Sequence, residues 1–144
     1  MDNQPQFKFF IVDEDIFCAN VYKQYLMNMN FTDITYYTNT RDCIDNLHQN
    51  PDIIFLYHNL EDINGFEVLK KIKQYNPDIY VIIISGGENT KTTVDALRFG
   101  AFDYVIKAND IYEKIGLIIE KIISVKEQLK TNYPGFIKRL LLIF

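Results

Sequence analysis

Pro51-Asp52-Ile53-Ile54-Phe55-Leu56-Tyr57-His58-Asn59-Leu60, followed by Glu61-Asp62-Ile63-Asn64-Gly65, is the stretch whose reading decides the fold. It opens with an apolar run too short for a helix and too continuous for a strand with one face in water. Such a run predicts a strand buried on both faces, in the middle of a parallel sheet. A polar loop and Gly65 follow, and then a new apolar period, Phe66, Val68, Leu69 and Ile72, predicts a helix through about Tyr75. In an open α/β sheet, chemistry collects where the carboxyl ends of strands meet loops. Tyr57-His58-Asn59 is expected at that edge.

Working outward, Phe7 to Val12 is a first buried strand that stops at the acidic triplet Asp13-Glu14-Asp15. Asp15 is placed to cap a helix whose apolar residues Ile16, Val21, Tyr22, Tyr25 and Leu26 follow a rough helical period. Asp33 to Tyr37 predicts a second strand. Thr40 is expected to cap a helix through about Gln49, with Cys43, Ile44 and Leu47 inward, until Asn50-Pro51 breaks it. Ile79 to Ile84 is a fourth strand, again buried on both faces, ending at Ser85-Gly86-Gly87. A helix from Glu88 to Phe99, containing Val94, Leu97 and Arg98, is ended by Gly100, and Phe102 to Ile106 makes a fifth strand ending at Lys107. From Asp110 an amphipathic helix runs to about Lys130, with Ile111, Ile115, Ile118, Ile119, Ile122 and Leu129 as its core stripe; Tyr112, Leu117 and Ile123 lie off that stripe. Strands that alternate with helices in this way predict a parallel sheet covered on both faces, with strand order 2-1-3-4-5.

The remaining composition excludes several classes. A chain of 144 residues with 48% hydrophobic and 24% charged residues is a globular domain with a real core. A formal net charge of -4 offers no general basic surface for nucleic acid. The polar start lacks the basic region of a signal peptide, and no apolar run approaches the roughly 20 residues of a membrane helix. A cytoplasmic protein with no membrane or nucleic-acid partner is expected. Cys18 and Cys43 fall in different predicted helices, as expected of buried free thiols.

The strand ends carry Asp13-Glu14, Tyr57 with Asn59, Ser85, and Lys107. In the order 2-1-3-4-5 the first, third, fourth and fifth strands are neighbours, so these ends converge. Carboxylate and carbonyl oxygens suit Mg²⁺, while lysine and serine hold phosphoryl oxygens. Each residue also has a plainer reading: the triplet as a solvated strand end with a helix cap, Ser85 as turn chemistry before two glycines, His58 as an ordinary histidine.

Taken in order, these pieces resemble the response-regulator receiver domains of two-component signalling, over about Phe7 to Lys130. Val12-Asp13-Glu14 is similar to the family's acidic Mg²⁺ pair, and Ser85-Gly86 to its hydroxyl-and-small-residue step. Gly100-Ala-Phe-Asp-Tyr-Val-Ile-Lys107 is similar to the segment that ends in the family's lysine, with Tyr104 at the switch aromatic, and Asn64-Gly65-Phe66-Glu67 to the start of its third helix. The resemblance implies a flavodoxin-like, doubly wound (βα)5 three-layer sandwich over residues 1–130 and leaves 131–144 as an apolar C-terminal extension. That extension, Phe136-Ile-Lys-Arg-Leu-Leu-Leu-Ile-Phe144, is too apolar to sit loose in water. Packing on the domain, a homodimer contact and a connection onward remain open for it.

The departures carry the functional reading. Counting six residues on from Pro51, or eight back from Gly65, arrives at Tyr57, where the resemblance places the phospho-accepting aspartate. Tyrosine, with an ordinary side-chain pKa of about 10, is no metal ligand at neutral pH and forms no acyl phosphate. Glu61 and Ala108 stand where the family carries prolines. Asp13, Glu14 and Lys107 sum to -1, so Mg²⁺ binding through Asp13, Glu14 and Asn59 is expected to be vestigial and weak, with no cofactor required. Lys107 is expected to pair with Asp13 or Glu14, and the Tyr57 ring to enter the cavity. The expected function is a non-enzymatic pseudo-receiver: a phosphorylation-independent interaction module for a histidine kinase or an output protein. A homodimer through the face of the fourth helix, fifth strand and fifth helix, or through the C-terminal tail, is compatible with it. A receiver phosphorylated on another pocket carboxylate, or a purely structural dimerisation domain, are the alternatives.

Overall fold

The computed structural model describes residues 4–58, 64–87 and 90–132. Five strands, β1 (Phe9–Val12), β2 (Ile34–Tyr37), β3 (Ile53–His58), β4 (Tyr80–Ser85) and β5 (Asp103–Ile106), form one sheet in the order β2-β1-β3-β4-β5. Every pairing is parallel, with Val12 opposite Leu56 and Ser85 opposite both His58 and Ile106. The connecting helices are α1 (Ile16–Asn28), α2 (Thr40–Asp45), α3 (Asn64–Tyr75), α4 (Thr90–Arg98) and α5 (Ile111–Asn132).

Side-chain alternation divides the sheet into two cores. Phe9, Ile11, Ile53, Phe55, Ile82 and Ile84 meet Leu26 of α1 and the isoleucines of α5 on one face. Phe10, Val12, Ile54, Leu56, Val81 and Ile83 meet Cys43, Leu69, Ile72 and Ala96 on the other. The three central strands are therefore dry on both sides, and their near-continuous apolar runs follow from that. Phe9 stacks on Phe55 with ring centroids 6.0 Å apart and meets Phe31 edge-on at 5.0 Å, which ties β1, β3 and the loop after α1 together.

Several sequence expectations shift at element ends. Asn39, not Thr40, caps α2, accepting the amide N–H of Asp42 at 2.8 Å. The helix expected through Gln49 ends at Asp45 and passes into a short 3-10 turn over Leu47–Gln49, closed by Asn50 at φ 61°. Asp15 caps α1 as expected, accepting from Phe17 N at 2.9 Å. Ile16, placed on the inner stripe by period, is 63% exposed because it occupies the first turn, above the rim of the sheet. Leu129 is 46% exposed for the same reason at the far end of α5, which outruns the sheet. The other predicted isoleucines of α5 are buried. Gly100 ends α4 at φ +105°, a conformation that costs a residue with a Cβ, while Ala101 N bonds back to Ala96 O at 3.0 Å. Cys18 is half-buried, Cys43 is buried, and both are free. Asn59, Glu61 and the apolar segment from Phe136 lie outside the described residues.

Phe55→Ala should cost about 3–5 kcal/mol, since it empties a fully buried ring site. Phe17→Ala, at a side chain 73% exposed, should stay within about 0.5 kcal/mol. Urea unfolding of both variants checks the contrast.

Candidate functional site

Three parallel strands stop in register at one edge, and the residues that follow them meet there. Asp13 continues β1 on the face that carries Phe9 and Ile11, Tyr57 lies on the same face of β3 as Phe55, and Lys107 follows β5 on the face of Val105. All three side chains point to the side covered by α1 and α5. A backbone bond from Lys107 N to Ser85 O, 2.7 Å, fixes the end of β5 against β4.

Asp13 is 2% exposed, a burial that a carboxylate tolerates only with partners. One oxygen, Oδ1, accepts the amide N–H of Asp15 at 2.8 Å. The other, Oδ2, has no hydrogen bond among the described residues and faces Lys107 Nζ at 3.7 Å. The Asp13 carbonyl accepts the Tyr36 hydroxyl at 2.7 Å, which holds the turn after β1 down on β2. Burial raises the Asp13 pKa above its ordinary 3.8, against the lowering effect of the Asp15 amide and Lys107; the charges of Asp15 and Glu14 add to the rise. Burial opposes the Lys107 ammonium too, but Cys18, Tyr22 and Asp13 more than offset it, so its pKa lies above that of free lysine.

The Lys107 ammonium also lies over the Tyr57 ring, 4.3 Å from its centroid, within cation–π range. The Tyr57 hydroxyl reaches the β4–α4 turn: a Cβ on Gly86 would stand 3.4 Å from it. The phenol thus spans the edge from β5 to the turn after β4, under the lysine. Of the two carboxylates expected to pair with Lys107, Asp13 and Glu14, it is Asp13 that stands within 4 Å of the ammonium.

The other expected site residues are placed differently. Glu14 is exposed. Ser85 is fully buried, and its hydroxyl is engaged with its own turn, donating to Gly87 O at 3.0 Å and accepting from Gly87 N at 3.3 Å. Tyr104 packs on the opposite core, with its hydroxyl buried and no hydrogen-bond partner among the described residues. Val94 and Leu97 of α4 are exposed, and so are Tyr112 and Leu117 of α5, which lie toward α1: Tyr112 meets Tyr25 edge-on at 4.6 Å, and both line a groove with Met29.

Two contributors went unread in the sequence. Tyr22, 3% exposed on α1, brings its hydroxyl into the surroundings of Lys107, and burial pushes its pKa up. Cys18, one helical turn earlier, donates to Asp15 Oδ2 at 3.4 Å. Their spacing of four marks a shared helix face, but nothing in it connects that face to a lysine at the end of β5.

The chain is similar to known proteins. The profile of the response regulator receiver domain matches residues 9–118. Regulatory protein LuxO of Vibrio vulnificus is 32% identical over 136 residues, 88% of this chain and 30% of the relative. Transcriptional regulatory protein ZraR of Klebsiella oxytoca is 27% identical over 115 residues, 79% of this chain and 26% of the relative. The chain thus spans about 30% or less of these relatives' length. Among solved structures, the signal receiver domain of a LuxO repressor protein from Vibrio parahaemolyticus aligns with a TM-score of 0.71 at 23% identity, covering 88% of this chain and 98% of that one. A CheY-like receiver domain protein from Methanospirillum hungatei aligns at 0.67 and 23%, covering 81% and 96%. The fold is the CheY-like flavodoxin fold. Among the described residues, no helix is long and apolar enough to cross a membrane.

Lys107→Met strands a buried carboxylate and should cost about 1–3 kcal/mol, largely recovered when Asp13→Asn is added; a double-mutant cycle in urea measures the coupling. Because the folded pKa of Asp13 is raised, its contribution favours folding below about 3.8 and is lost as pH rises through the folded value. The stability of the unaltered chain relative to Asp13→Asn should therefore fall as pH rises through that window, which unfolding curves across it will show.

Proposed function

Since the chain belongs to the response regulator receiver domain family, we propose that it is a receiver of two-component signalling in which Tyr57 holds the place of the phospho-accepting aspartate. It then acts as a phosphorylation-independent interaction module. Receiver domains engage histidine kinases and output domains, so its partner is a signalling protein of one of those kinds.

The observation that carries this reading is the position of Lys107. Its ammonium sits between the Asp13 carboxylate at 3.7 Å and the Tyr57 ring at 4.3 Å. A lysine that would hold a phosphoryl oxygen is thus engaged on two sides by groups of the resting chain. The phenol lies across the same edge toward Gly86, so a phosphoryl group and a metal would have to displace it. The Ser85 hydroxyl, occupied by Gly87, is a third group committed elsewhere.

A divalent cation fits the donor set poorly. Among the described residues Asp13 is the one buried carboxylate, it already faces an ammonium, and position 57 brings a phenol where a carboxylate would stand. Among the described residues, no three His, Cys, Asp or Glu side chains converge as a metal site. Mg²⁺ binding through Asp13 and Glu14, with Asn59, is accordingly weak, and no step of the function runs through it. Tyr104, packed inward on the core of Leu56 and Ile83, stays in that position rather than switching, and the face of α4, β5 and α5 that it adjoins, with Val94 and Leu97 of α4 exposed, is the surface offered to a partner or a second copy.

Asp13 Oδ2, buried without a hydrogen bond, favours one competing reading, in which that carboxylate accepts the phosphoryl group. Acetyl phosphate with Mg²⁺, followed by intact-mass measurement, separates the two. The unaltered chain should gain no phosphate, whereas Tyr57→Asp should gain one. A gain in the unaltered chain that disappears in Asp13→Asn would replace the proposed reading with the competing one.

A further inference from the structure

The opposite edge of the sheet carries a second feature, independent of Tyr57. The amino ends of β3, β4 and β5 and the last turns of α5 enclose a groove of about 850 Å³. Tyr80 and Phe102 form its floor, meeting edge to face at 5.3 Å. Lys126 and Leu129 of α5 form one wall, and Asp52 and Asp78 stand on its rim. The basic groups in it are turned to local partners. Lys73 Nζ donates to the carbonyls of Pro77 and Ile79 at 2.6 and 2.8 Å, and Lys126 Nζ lies over the rings of Phe7 and Tyr80 at 5.0 and 5.9 Å. The groove is therefore lined by two aromatic rings, two lysines and two aspartates, and Asp52 Oδ2 already accepts the Lys8 amide N–H at 2.7 Å.

What could cover it follows from the direction of α5. A helix after a parallel strand runs back against the sheet, so α5 starts at the site edge and delivers its last turns to this one. It continues to Asn132, beyond the sheet. In the sequence Pro134 and Gly135 come next, a residue without a backbone donor and one without a Cβ. Phe136, Ile137, Leu140, Leu141, Leu142, Ile143 and Phe144 follow, interrupted only by Lys138-Arg139. Each such large side chain gains about 1.5–3 kcal/mol on full burial. Nine extended residues reach up to about 30 Å, enough to cross a groove whose wall begins at Leu129.

We propose that the segment Phe136–Phe144 folds back on its own chain and fills this groove, its apolar side chains on Tyr80, Phe102 and Leu129. Leu129, exposed at 46% among the described residues, becomes the hinge contact. A second groove of about 500 Å³ between Met29 and the Tyr112–Ile123 stretch of α5 is also apolar. It is the poorer fit, because its nearest point lies about 14 Å back along the helix from Asn132.

Nuclear Overhauser contacts in the isotope-labelled full chain test this without any substitution. Contacts are expected from the methyls of Leu140–Ile143 to the rings of Tyr80 and Phe102. They should persist on dilution and be absent from filtered spectra of a mixture of differently labelled chains. Three results would overturn the proposal: no such contacts, contacts only between differently labelled chains, or contacts to Met29 and Tyr112 instead.

Discussion

Phe9 to Val12, Ile53 to Leu56 and Val81 to Ile84 are buried on both faces of the sheet, so each backbone N–H and C=O along them must find its partner in a neighbouring strand. That condition forces the parallel ladder, and the ladder forces helices onto both faces, since a parallel strand can only be re-entered by a crossover. It also forces the strands to stop together. Polar residues cannot be placed within the dry stretch, so Asp13, Ser85 and Lys107 all fall where the apolar runs give out. The site is a product of where the core ends.

Among the described residues of that edge, the buried carboxylate is Asp13. Asp13 has a single backbone donor on one oxygen and an ammonium on the other, and burial still weighs more than either, so its pKa is raised. Lys107 thus lies between the Asp13 carboxylate and the Tyr57 ring, while Asp13 Oδ2 keeps no hydrogen bond among the described residues.

The fold was legible from residues such as the Ile79–Ile84 run, whose length and β-branching allow little else, and from Gly100, whose position after a helical period marks a left-handed end. The second helix is shorter than its apolar period predicts. Leu47 has the right period and is buried, but Asn46 interrupts the α-helix and only a 3-10 turn follows. Ile16 and Leu129 were read inward because a period says which side of a helix is apolar, while exposure also depends on whether the sheet extends far enough to meet that turn. In the site, Asp13, Tyr57 and Lys107 were legible because each directly ends, or follows, a buried run. Tyr22 was not, since its part depends on how α1 lies across the ends of two strands distant from it in sequence.

By itself, the sequence determined the strands, their alternation with helices, and which side chains stand at their carboxyl ends, because hydrophobic periodicity and spacing are local properties of the chain; the order 2-1-3-4-5 came with the family resemblance and is seen in the sheet itself. Tertiary structure alone decided which of those side chains meet. Alternation along the strands puts Asp13, Tyr57 and Lys107 on the face of α1 and α5, whereas Tyr104 packs on the other face and Ser85 closes on Gly87. The 4.3 Å contact between lysine and phenol and the 3.7 Å contact between lysine and carboxylate are distances between strands. They are set by register and by the rotamers that packing permits, neither of which a linear pattern carries.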